Sequence, residues 1–175
     1  TPKYRGGAIS MNNTDVYGSE LINVPAPELI NNGSIIPPTI MPHVVDIERN
    51  KSLLAAENDR QVLTDIISKL DDDAAQKILV AAPNTRVLWA LLTGTNVMQE
   101  FADRGYDVLH ITSKHGAYVN KTKVGRQEFF DTLDAWGKDP NRKFIMFHYS
   151  ILSEGINVPG LTHTILLRNL PVIEM

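Results

Sequence analysis

The sequence predicts an α/β domain built on a mainly parallel sheet, and three observations carry that expectation. Short continuous apolar runs at residues 78–82, 107–111, 143–147 and 164–167 suit strands covered on both faces. Stretches of helical period at 58–70, 86–104 and 122–136 precede or separate the first three runs, and strands alternating with helices join through right-handed crossovers into a parallel sheet. Finally, 175 residues that are 43% hydrophobic, with 17 Lys+Arg against 20 Asp+Glu, are enough for one ordinary domain with a sizeable core. A net charge of −3 argues against wholesale disorder. With no cysteine, the chain can form neither a disulfide-stapled scaffold nor a thiolate zinc site, and it suits a reducing, cytoplasmic setting.

Residues 1–45 are rich in Gly, Pro and Asn and predict irregular structure with a short helix before Gly33, ended by Pro37-Pro38. A strand is expected at 40–48, near an edge or a strand start because Pro42 lacks a backbone donor. From Asn58 the residues Val62, Leu63, Ile66, Ile67 and Leu70 form one apolar stripe, with Asn58 as N-cap and Gln61 completing a capping box. Asp71-Asp72-Asp73 reads as the solvated loop that ends this helix. The next helix carries Leu88, Leu91, Leu92, Met98, Phe101 and Ala102 inward, and Gly94 weakens its middle. After the strand at 107–111 a polar loop leads to a helix from about Thr122 bearing Phe129, Phe130, Leu133 and Trp136. No apolar run approaches the roughly 20 residues that span a bilayer, and no apolar h-region follows the charged start. The apolar stretch Pro171-Val172-Ile173-Glu174-Met175 reads as the middle of a packed element, so a piece of a longer chain is expected.

In an open parallel sheet, ligands bind outside the carboxyl ends of the strands. Three loops there are polar, hydroxyl-rich or glycine-bearing: Pro83-Asn84-Thr85, Thr112-Ser113-Lys114-His115-Gly116, and His148-Tyr149-Ser150 running on to Glu154-Gly155-Ile156-Asn157-Val158-Pro159-Gly160. All three are expected along one edge. The stretch Ile151-Leu152-Ser153-Glu154-Gly155-Ile156-Asn157-Val158-Pro159-Gly160-Leu161, followed by the apolar run 164–167, resembles motif V of superfamily 2 helicases, where Glu-Gly-x-Asp-x-Pro or Arg-Gly-x-Asp-x-Pro precedes a strand. The run 78–82 with its loop and helix is similar to motif IV. Thr1-Pro2-Lys3-Tyr4-Arg5-Gly6-Gly7 looks like the tail of motif III, and the segment from Leu29-Ile30 through Gly33 to Pro37-Pro38 resembles the connector of DEAD/DEAH-like and phage-type members.

The resemblance implies a three-layer RecA-like domain, a mainly parallel sheet with helices on both faces. Residues 1–45 would be the connector and 46–175 the second, C-terminal lobe, cut before motif VI. The phosphate loop G-x-x-x-x-G-K-[ST] and the Asp-Glu metal-binding strand of the first lobe are not in the sequence, and neither is the Gln-x-x-Gly-Arg-x-x-Arg of motif VI. The implied parent is an ATP-dependent phage or bacterial helicase or translocase that uses ATP and Mg2+ held mainly by an N-terminal lobe in cis. This chain alone is expected to have no catalytic residues, no bound cofactor and no activity. Glu154, Gly155 and Asn157 match the motif V positions at the ATP cleft, with Asn157 standing where relatives carry Asp. One neutral acceptor replaces two charged ones there. Asn84, Thr85, Thr112, Ser113, Lys114, Tyr149 and Ser150 are the implied contacts to a DNA or RNA backbone, Tyr149 and Ser150 standing where many relatives place a Thr.

The residues themselves add support and rivals. Residues 112–126 hold Lys114, Lys121, Lys123 and Arg126 with no Asp or Glu, a cationic patch suited to phosphates, or else an ordinary solvated loop. Glu154 to Gly160 could equally be a plain turn between strands. Five histidines without a His-x-x-x-His pair argue against a metal site, Trp89 and Trp136 read as core, and no Ser/His/Asp set has a nucleophile-elbow context. The alternatives are a stand-alone Rossmann-like nucleotide- or sugar-binding domain and a non-enzymatic interaction lobe. No G-x-G-x-x-G loop follows the first strand, which argues against the dinucleotide version of the former.

Overall fold

A computed structural model describes residues 15, 18, 19, 22, 24–42, 52–70, 74–149 and 158–167. The chain divides into two compact units, Thr1–Val44 and Val45–Met175. In the first, α1 (Ala26–Asn31) buries none of its residues. It ends at Gly33, whose φ of +76° is open to glycine, with the Ser34 amide donating to Leu29 O and the Gly33 amide to Ile30 O. Gly33, rather than the double proline further on, is therefore the stop signal. Residues 40–42 of the expected strand belong to no element, and 43–48 lie outside the described residues.

The second unit runs α2 (Ser52–Ser68), β1 (Lys77–Ala81), α3 (Thr85–Gly94), α4 (Val97–Asp103), β2 (Asp107–Thr112), β3 (Gly116–Val119), β4 (Thr122–Val124), α5 (Arg126–Lys138), β5 (Phe144–His148) and β6 (His163–Leu166). The six strands form one sheet in the order β4-β3-β2-β5-β1-β6, parallel from β2 to β6 and extended at one side by the antiparallel β3–β4 hairpin. Because strand side chains alternate, each inner strand feeds two cores. Ile78, Val80, Val108, Ile145 and Phe147 pack with α2, α3 and α4, through Leu63, Ile67, Leu88, Leu91 and Phe101. Leu109, Ile111, Phe144 and Met146 pack instead with Phe129 and Leu133 of α5. The domain is thus a three-layer α/β structure with helices on both faces, as expected. Among the described residues no helix is long and apolar enough to cross a membrane.

Three local expectations are corrected. The long helix starts at Ser52, so Asn58 sits inside α2 and caps nothing. The helix expected over 86–104 is two helices. Gly94 closes α3, Thr95 turns extended at φ −126° and ψ 173°, and its Oγ1 donates to Leu91 O at 2.6 Å before α4 begins. The polar loop before α5 is a β-hairpin, and α5 begins at Arg126 rather than Thr122. The middles of α2 and α4 are tied by Arg60, whose guanidinium bonds Glu100 and Glu57 at 2.6 Å each, while Thr64 donates to Glu100. The Arg60 hydrogen bond holds the Glu57 carboxyl below its ordinary range.

Candidate nucleic-acid interface

Parallel register decides where the loops go. Ala81 and Ile111 both pair with His148, so β1, β5 and β2 end level, and their following loops share the carboxyl rim of the sheet. The first loop turns directly into α3. Asn84 is its N-cap, with Oδ1 accepting from the Val87 amide at 2.8 Å, and Thr85 opens the helix half-buried. Arg86 stands exposed in the same first turn, a rim cation that the motif reading missed. After β2, Thr112 is 2% exposed and its Oγ1 accepts from the His115 amide at 3.0 Å, which shapes a turn with Ser113 and Lys114 exposed at its tip. After β5, Tyr149 lies half-buried against the α2–α3 side of the core. The rim therefore gathers Asn84, Thr85, Thr112, Ser113, Lys114 and Tyr149.

Two of those side chains are occupied. The oxygens of Asn84 and Thr112 serve the fold, which leaves Ser113, Lys114 and Arg86 exposed on the rim and Thr85 half-buried beside them. Ser150, Glu154, Gly155 and Asn157 lie outside the described residues. The end of that stretch departs from the expectation of a single edge. Residues 158–162 meet the sheet at its opposite edge, where the Lys77 amide donates to Thr162 Oγ1 at 2.8 Å and the Thr162 amide returns a bond to Lys77 O at 3.0 Å. Lys77 is buried, 5% exposed, and its Nζ donates to Gly137 O at 2.6 Å, a cation at the carboxyl end of α5.

Next to the rim the structure assembles a ring cluster that no sequence motif announced. His115 stacks on Trp89 with centroids 3.9 Å apart and planes 9° from parallel. His110 stacks on Tyr118 at 4.6 Å and 15°, and Trp89 meets both His110 and Tyr118 at 6.1 Å. Trp89 belongs to neither core and is half-buried, which corrects its assignment to the interior. Trp136 does pack on the α5-side core, with the Arg142 guanidinium 4.2 Å from its ring centre. His110 is 4% exposed, and burial first, then the neighbouring His115, push its imidazole down to about 4. It is neutral at physiological pH.

The hairpin orders the cationic stretch. Asn120 and Lys121 have φ of 45° and 71°, a two-residue turn of the type that matches strand twist. Tyr118 pairs with both His110 and Lys123, so all three share the α3 side of the sheet. Lys114, Lys121, Lys123 and Arg126 are exposed. A signal for the hairpin exists in the sequence, the alternation of Tyr118, Val119, Thr122, Lys123 and Val124 around an Asn-Lys pair. Among the described residues no cluster of three His, Asp or Glu side chains could hold a metal ion. In comparisons with known proteins, no family model, no curated protein and no solved structure matches this chain. The chemistry on offer at the rim is hydroxyls, amides and two cations, a set that suits phosphate oxygens without reading bases.

Proposed function

We propose that this chain works as the second RecA-like lobe of a two-lobe, ATP-dependent nucleic-acid helicase or translocase. The observation that carries the reading is the level register of β1, β5 and β2, because it sets the loop resembling motif IV, the cationic loop after β2 and the first residues after β5 on one rim. In this reading the partner lobe in cis holds the triphosphate and magnesium, and hydrolysis drives opening and closing of the cleft between the lobes. This chain's own part is to hold a DNA or RNA backbone. Lys114 and Arg86 meet phosphates as point charges, while Ser113, Thr85 and backbone amides fix the strand's register. By the motif V resemblance, Glu154, Gly155 and Asn157 are the residues assigned to the nucleotide, and a glycine at 155 would admit close backbone approach.

The test joins this chain to a lobe bearing the phosphate loop and measures ATP hydrolysis with and without single-stranded nucleic acid. Stimulated hydrolysis that is lost in Gly155→Val is expected; a folded two-lobe protein without stimulation ends the proposal. Lys114→Ala should weaken binding several-fold and lower the slope of log affinity against log salt by about one. Calorimetry on the chain alone separates the rival, since a stand-alone nucleotide-binding domain would take up nucleotide unaided.

A further inference from the structure

The hairpin face lies beyond the rim and carries features that gripping phosphates at the rim does not require. We propose that it is a base-stacking surface for single-stranded nucleic acid, with a groove beside Trp89 and Tyr118 receiving one unpaired base. The inference rests on the second-lobe reading in that its strand is the one leaving the rim. Trp89, His115 and Tyr118 are half-exposed rings braced from behind, since Trp89 and His115 support each other and Tyr118 lies on buried His110. Aromatic faces held in this way accept any base, because every base has a π-face.

The groove has a volume of about 300 Å³ and is lined by Trp89, His110 and Tyr118 with Asn96, Gln99 and Lys121. Rings form one wall, the Asn96 amide offers a donor and an acceptor to a base edge, and Gln99, bonded to Asp103, holds the Lys121 ammonium 3.5 Å from its Oε1 at the groove's border. Charge points to the same occupant. Lys114, Lys121 and Lys123 are exposed around the cluster, residues 112–126 contain no Asp or Glu, and Asp103 beside the groove is engaged by Gln99 at 2.8 Å. Residues 116–119 of β3 span roughly 10 Å by strand rise. The rim cation Lys114 and the turn cation Lys121 are thus separated by a distance that a strand of a few nucleotides can bridge.

The experiment uses the chain with Trp136→Phe, which leaves Trp89 as the sole tryptophan, and a single-stranded oligothymidylate of about ten nucleotides. Binding is followed by anisotropy of a labelled oligonucleotide, and Trp89 by its fluorescence. Binding that quenches Trp89, with affinity lowered about tenfold in Tyr118→Ala, is the expected result. Because Tyr118→Ala could loosen the hairpin, Lys121→Gly is the second arm. Its φ of 71° favours glycine, so the turn survives while the charge is lost, and the salt slope should fall by about one. Binding without Trp89 quenching, or an unchanged salt slope in Lys121→Gly, overturns the inference and leaves the rim reading intact. Absence of any oligonucleotide binding also overturns it, and the second-lobe reading is then judged separately by the stimulated ATP hydrolysis of the joined protein.

Discussion

His110 shows how much one buried group decides. Burial first, and then the neighbouring His115, push its imidazole down to about 4 from the ordinary 6.5, and Trp89 and Tyr118 are its ring neighbours. Between those two pH values the unfolded chain takes up a proton that the folded chain refuses, so stability falls on acidification through this window. A shift of that size corresponds to about 3 kcal/mol. Urea unfolding at pH 7 and pH 4.5 should show the loss, and His110→Phe, which keeps a ring under Tyr118, should remove most of it. An unchanged acid loss in the variant would contradict the assignment. Residue types at the rim were legible in the sequence, but their use was not. Asn84 and Thr112 have the oxygens that a phosphate-contacting loop needs, yet those oxygens cap α3 and close a turn, a choice made by backbone amides three residues downstream.

Among the elements, the short continuous apolar runs became strands and the strongest helical stripes became helices because burial on both faces of a sheet leaves little latitude. The failures have local causes. Along α2 the buried positions are Ala55, Ala56, Asp59, Leu63 and Ile67, a helical stripe interrupted by a carboxylate, and that interruption hides the first turns of the helix. The hairpin was missed because β3 and β4 are four and three residues long and its turn is Asn-Lys rather than Asn-Gly. What holds it is Asn120, with Oδ1 accepting from the Val108 amide at 2.8 Å and Nδ2 donating to Asp107 at 2.6 Å. Asn120→Ala loses both bonds and places a Cβ-bearing residue without them at φ 45°, a cost of about 2 kcal/mol. Asn120→Gly loses the bonds but relaxes the backbone, so it should cost about half as much in the same urea titration. Equal losses would mean that turn strain contributes nothing.

At the scale of the whole molecule, one close approach joins the α5 layer to the chain entering β6. A Cβ on Gly137 would stand 2.7 Å from Pro159 O and one on Gly160 2.8 Å from Gly137 O, while buried Lys77 bonds that same carbonyl. Gly137→Ala improves helix propensity by about 1 kcal/mol, but it drives a methyl into backbone that cannot move without disturbing Lys77 and Thr162. A net loss of about 2 kcal/mol is expected in thermal unfolding; a neutral or stabilised variant would show that the junction is loose. The α/β class, the parallel strands and the polar starts of the loops after β1, β2 and β5 could be read from the chain, since these follow from apolar periodicity and from the handedness of crossovers. It took the folded chain to show that β1, β2 and β5 end level, that residues 158–162 meet the opposite edge, and that Trp89, His110, His115 and Tyr118 converge beside exposed lysines. Each of those depends on pairing register and packing between residues far apart in the chain, which no local pattern encodes.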